Sequence, residues 1–168
     1  MRLFRVCVVF VVGVAVFYVS GCTNIKKSKE DISNLIDNYV KYSAVFFNIL
    51  SDSQKRKIIE NGDTSNLSKD ELSAANKYLK LFAEQRSYES ITVKMIWFGS
   101  IVGYDIKKIA IYGDRAVVVI HARAKSALSI SDTPDEYNFI FTLKRIKSQW
   151  RIQNIELVNP NPSKNKKR

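Results

Sequence analysis

Near Ser87 the spacing of apolar residues changes from three and four to two, which confines the chain to helices first and strands afterwards. Upstream, Ile32, Leu35, Ile36, Tyr39, Val40, Ser43, Phe46, Phe47 and Leu50 form one stripe of an amphipathic helix. Ser28-Lys29-Glu30-Asp31 reads as its start, a hydroxyl followed by acids in the first turn. Ser51-Asp52-Ser53-Gln54 is a capping box opening a short second helix to near Glu60, closed by an Asn61-Gly62-Asp63 turn. Ser68-Lys69-Asp70-Glu71 opens a third, with Leu72, Ala75, Tyr78, Leu79 and Phe82 on one face.

Downstream, Ile91, Val93, Met95 and Trp97 alternate with Thr92, Lys94, Ile96 and Phe98 as a first strand. Ile109 and Ile111 mark a second, which ends at the turn pair Gly113-Asp114. The third puts Ala116, Val118, Ile120, Ala122 and Ala124 on one side, opposite Arg115, Val117, Val119, His121, Arg123 and Lys125. After a loop from Ser126 to Asp135, Tyr137, Phe139, Phe141 and Leu143 give a fourth strand with an aromatic face. Trp150 and Ile152 open a fifth after Lys147-Ser148-Gln149. Its apolar phase slips between Ile152 and Ile155, which predicts a bulge that bends the sheet. The expected class is α+β, with N-terminal helices packed on a curved antiparallel sheet.

The N-terminus has its own grammar. Arg2 and Arg5 precede an apolar run from Val6 to Val19, followed by Ser20, Gly21 and Cys22. The run has 14 residues, short of the roughly 20 that cross a hydrocarbon core. Val19-Ser20-Gly21-Cys22 resembles the bacterial lipobox, with Val19 where Leu is usual. That resemblance implies cleavage between Gly21 and Cys22, and a diacylglycerol, usually with a third acyl chain such as palmitate, on Cys22. Each buried methylene contributes about 0.8 kcal/mol, so two or three chains hold where one is marginal. The expected organisation is a lipoprotein signal peptide over 1–21, a tether over 22–28, one folded domain over 29–158 and a basic disordered tail over 159–168. The expected location is the bacterial cell membrane, facing periplasm or exterior. Thr23, not Asp, follows the Cys, which favours the outer membrane in a cell with two.

Cysteine and charge narrow the chemistry. Cys7 leaves with the signal and Cys22 is blocked by lipid, so no disulfide supports the fold. Net charge is +11, which in a cytoplasmic protein would raise nucleic acid as a partner; export removes it. The excess is then solvated surface or an attraction to anionic lipid, and Lys164, Lys166, Lys167 and Arg168 in the tail are candidates for that contact. One His and no free Cys leave only a carboxylate metal site, and Asp132 and Asp135 fall short of calcium-loop spacing. No metal, cofactor or catalytic residue is assigned. A phosphate-cradling Gly-rich loop is absent, and His121, on a face with Arg115 and Arg123, reads as an outward or interface residue rather than a base.

Three stretches carry a resemblance to the nuclear transport factor 2-like, or cystatin-like, superfamily over about residues 29–158. They are Leu50-Ser51-Asp52-Ser53-Gln54 at the first helix break, Ile111-Tyr112-Gly113-Asp114-Arg115-Ala116-Val117-Val118 in the central hairpin, and Trp150-Arg151-Ile152. The chain is similar to small bacterial lipoproteins of that fold. The superfamily hosts enzymes, transport receptors and assembly factors alike, so it implies fold and not chemistry. Its members commonly dimerise through the outer sheet face, which here offers Val117, Val119, His121 and Ile140, with Ile96 and Phe98 nearby. A homodimer or an envelope protein is the expected partner, unless the tail or a loop covers that face. Tyr39, Tyr78, Trp97, Tyr137, Phe139, Phe141 and Trp150 would line an inner cavity, or simply be core. The expected function is a membrane-anchored, non-enzymatic binding or assembly module. The alternatives are a carrier or isomerase/cyclase-like enzyme for an apolar small molecule, and a secretion-apparatus component. The type IV secretion factor of similar fold is held by a spanning helix, so Cys22 argues against the last.

Overall fold

The computed structural model describes residues 3–84, 101–124 and 135–158, with side chains from Asn24 in the first segment and Glu136 in the last. The expected strand at 91–98, including Trp97, lies outside them, as do the 125–134 stretch with Asp132 and the tail with Lys164, Lys166, Lys167 and Arg168. Seven elements follow in order: α1 (Leu3–Ile49), α2 (Asp52–Asn61), α3 (Lys69–Leu79), β1 (Ile101–Tyr112), β2 (Arg115–Ala124), β3 (Asp135–Ile146) and β4 (Gln149–Val158).

The chain divides into two units, Met1–Asn34 and Leu35–Arg168. The first is the N-terminal part of α1. The helix start expected at Ser28 is not there, and residues 22–28, expected as a tether, are helical. No Pro or Gly falls between Cys22 and Ile49 to interrupt the ladder, and Lys and Glu support it, so the cap signal at Ser28 is overridden. Among the described residues no helix is long and apolar enough to cross a membrane.

In the second unit the two remaining start signals hold. Ser51 caps α2 and Ser68 caps α3, each with its capping box closed by Gln54 or Glu71. Gly62 ends α2 at φ 65°, its N–H donating to Ile58 O at 3.0 Å, while Asp63 N reaches Lys57 O at 3.3 Å. That left-handed closure favours glycine. The buried side of α3 is Ala74, Ala75 and Tyr78, with Leu72 and Leu79 half-buried. Phe82 lies beyond the helix: Leu81–Ala83 turn extended and run parallel to β4, with Ile152 N donating to Leu81 O and Ala83 N to Ile152 O, both at 2.8 Å.

The four strands form an antiparallel meander in the order β1-β2-β3-β4. The predicted bulge is present: Thr142 pairs with Asn154 and Leu143 with Ile152, leaving Gln153 as the extra residue. Two more occur in β1, at Val102 and Lys107. Bulges raise local twist, which lets an open sheet wrap its helices. Inside the wrap, β2 contributes the small stripe Ala116, Val118, Ile120, Ala122 and Ala124, all at most 1% exposed. β3 adds Phe139, Phe141 and Leu143, also fully buried, and the helices bury Leu35, Ile36, Tyr39 and Phe46 of α1 and Tyr78 of α3. Phe46 stacks on Tyr78 with centroids 4.5 Å apart, and Tyr39 meets Phe141 edge-on at 5.2 Å. The small β2 stripe leaves room for these rings, giving the α+β unit its core.

Candidate functional site

The outer face of the sheet is built by register. Cross-strand partners point to the same side, so the pairings define rows running across the four strands. Lys108, Val119, Ile140 and Glu156 make one row; Ala110, Val117, Thr142 and Asn154 make the next. Val117, Val119 and Ile140 therefore meet, with Val119 directly opposite Ile140, and all three are half-buried. Strand parity predicts that these residues share one side of the sheet, and the register places them there.

His121 borders that apolar centre. Its Nδ1 lies 3.0 Å from Asn138 Oδ1, and its Nε2 lies 3.7 Å from Glu136 Oε2, an ion pair whenever the imidazole is protonated. Asp105 sits opposite His121 and is 3.6 Å from Lys107 Nζ. At this end of the face His121 and Lys107 each have a carboxylate neighbour.

The other end differs. Tyr112 pairs with Arg115, Arg115 with Lys144 and Lys144 with Arg151, so three cations stand side by side. Neither Arg115 nor Lys144 has an ion pair among the described residues; Arg151 Nη2 donates to Gln149 Oε1 at 2.5 Å. Both hairpin turns lie here, tied by Arg145 N donating to Asp114 O at 2.7 Å. The Lys147-Ser148 turn has φ of 48° and 68°, the left-handed region at both central positions without a glycine. Tyr112 is 66% exposed beside the row.

The inner-face residues are packed. Tyr39, Tyr78, Phe139, Phe141 and Trp150 are buried, and Tyr137 is half-buried with its ring 6.2 Å from Phe139. Two polar atoms stand out: the Tyr39 hydroxyl and the Trp150 indole N–H are buried without a hydrogen-bond partner among the described residues. Burial, then the neighbouring Tyr78, raises the Tyr39 phenol well above its ordinary pKa. Arg145 lies over the Trp150 ring at 5.3 Å.

The sequence reading missed a polar contact at the edge of this face. Tyr104 of β1 donates its hydroxyl to Asp37 of α1, and burial followed by that carboxylate raises the phenol pKa. Asp37 falls outside the apolar stripe and reads as solvated helix surface, so no local signal marks it. The basic row was missed for the same reason, since it exists only in the register. Gly21 and Cys22 lie within α1, with side chains outside those described. Among the described residues no group of three His, Cys, Asp or Glu could hold a metal ion.

No family model and no curated protein matches this chain. Two solved structures are similar in part. One is the crystal structure of an NTF-2 like protein of unknown function from Shewanella oneidensis MR-1, 12% identical, covering 77% of this chain and 97% of that one at a TM-score of 0.41. The other is the solution structure of a SEC-C motif containing protein from Rhodopseudomonas palustris, 10% identical, covering 54% and 79% at a TM-score of 0.39. Neither is close enough to carry a residue role across.

Proposed function

We propose that this chain is a membrane-anchored lipoprotein whose nuclear transport factor 2-like domain is a non-enzymatic binding or assembly module in the cell envelope. In this reading Cys22 is lipidated after cleavage at Gly21, and the outer sheet face receives a homodimer partner or an envelope protein. The observation that carries it is the direct Val119–Ile140 pairing, extended by Val117 and Ala110 into an apolar centre bordered by His121, Asn138 and Thr142. Apolar groups gathered on a face with a polar rim suit association. Helices preceding a bulged antiparallel meander support the superfamily assignment.

The test is in-cell crosslinking of the full-length protein from a photoreactive residue at Val119, with Cys22→Ala as control and mass spectrometry of the products. A reproducible adduct, to a second copy or one envelope protein, that disappears with Cys22→Ala is expected. Adducts spread over unrelated proteins, or none, would overturn the module.

A second reading, a carrier for an apolar small molecule, is favoured by the Tyr39 hydroxyl and Trp150 N–H, buried donors without a partner among the described residues that a ligand or water could satisfy. Native mass spectrometry of the detergent-extracted protein would reveal a retained molecule.

A further inference from the structure

Like charges directly opposite one another on a sheet destabilise it, so a row of them implies compensation. On this face His121 and Lys107 each have a carboxylate neighbour, Glu136 and Asp105, whereas Arg115 and Lys144 have no ion pair among the described residues. Strand spacing of roughly 4.8 Å places Arg115, Lys144 and Arg151 in a line about 10 Å long. Around them, both turns and their flanks hold Asp114 as the sole carboxylate beside Arg115, Lys144, Lys147 and Arg151. Lys147 adds its cation from a left-handed turn position where Asn or Gly would be the relaxed choice. A strained residue that keeps a charge in place is consistent with use of that charge.

We propose that this turn end of the sheet is an anion-recognition surface that seats on the phosphate headgroups of an anionic bilayer. A line of cations held by a sheet matches a plane of many phosphates better than one pocketed anion. Tyr112, exposed at the end of the row, has the apolar body and polar tip of an interfacial aromatic. The membrane as occupant rests on the location proposed above; the recognition of phosphate rests on the register alone. On β2 the row starts at Arg115, two residues along the same face from Val117 of the apolar centre.

The experiment uses the full-length chain reconstituted into phosphatidylcholine vesicles, or into vesicles also containing phosphatidylglycerol. Amine labelling of Lys144 and Lys147 is then read by mass spectrometry. Each cation near an anionic surface contributes a factor of roughly five in association. Labelling of both lysines should fall several-fold on the anionic vesicles, recover in high salt, and show no such fall in Arg115→Gln/Arg151→Gln, whose circular dichroism reports the fold. Equal labelling on the two vesicle types, or protection that salt does not reverse, overturns the proposal. So does protection by a duplex oligonucleotide on neutral vesicles combined with none from anionic lipid, which would assign the row to nucleic acid. Anchoring is read separately: if the chain from cells and its Cys22→Ala form float equally with neutral vesicles, the lipid anchor fails while the headgroup result stands.

Discussion

Gln54 Nε2 donates to Glu71 Oε1 at 2.9 Å, so the closing residues of two capping boxes, 17 positions apart, are bonded to each other. Gln54 Oε1 accepts from Ser51 N at 2.8 Å, and Glu71 Oε2 accepts from Ser68 N at 2.7 Å. Each side chain thus caps its own helix and ties it to the other. The Ser68 backbone N–H, then the Gln54 amide, holds the Glu71 carboxyl below the ordinary glutamate value. A depressed carboxylate contributes stability that is present above its unfolded pKa and lost as pH falls through the folded one.

Replacing Gln54 with Glu reverses that slope. Gln54→Glu can still cap Ser51, but it sets a second carboxylate against Glu71 and removes the donor between them. Its stability deficit should be largest near neutral pH and shrink as the medium is acidified through the carboxylate range, about pH 4. Urea midpoints of both proteins across that range are the check; a deficit independent of pH would mean the pair does not interact.

The Lys147-Ser148 turn should be improvable. Both residues sit at positive φ, which costs of order 1 kcal/mol for a side chain and almost nothing for glycine. Ser148→Gly is expected to raise stability by about 1 kcal/mol, read as a higher denaturation midpoint with an unchanged slope. Lys147 keeps its charge in that variant.

The small stripe of β2 should resist enlargement. Ala122 is 1% exposed and sits between Tyr104 and Tyr137 in the ladder. Ala122→Leu should cost about 1–3 kcal/mol through overpacking, while Val119→Leu on the outer face should stay within about 0.5 kcal/mol. Thermal unfolding of the two variants side by side tests the assignment of faces.

Tyr39→Phe removes a buried hydroxyl that has no partner among the described residues. Leaving such a group unsatisfied costs about 1–3 kcal/mol, so the change should stabilise the fold by about 1 kcal/mol. A loss of stability instead, confined to protein carrying a co-purified molecule, would show that the hydroxyl serves a ligand.

What could be read locally was read from particular residues. Ser51 and Ser68 cap helices because a hydroxyl and an acceptor three residues later meet orphan N–H groups within one turn, whatever surrounds them. The alternation through Ala116–Ala124 fixed which side of β2 is buried, because a strand has period two. The phase slip after Ile152 located the bulge at Gln153. Ser28 carried a similar start signal and failed, since the preceding residues propagate a helix through it.

Chain order and local periodicity thus determined an α+β unit, its burial pattern and its turn positions. Tertiary structure alone decided which distant groups meet. Asp37 reaches Tyr104 across 67 positions, Leu81–Ala83 leave α3 to pair with β4, and three separated cations fall into one row. The physical reason is that a side chain's direction follows from its own element, whereas its neighbour depends on register between elements, which a strand's pattern restricts to one face without choosing the partner.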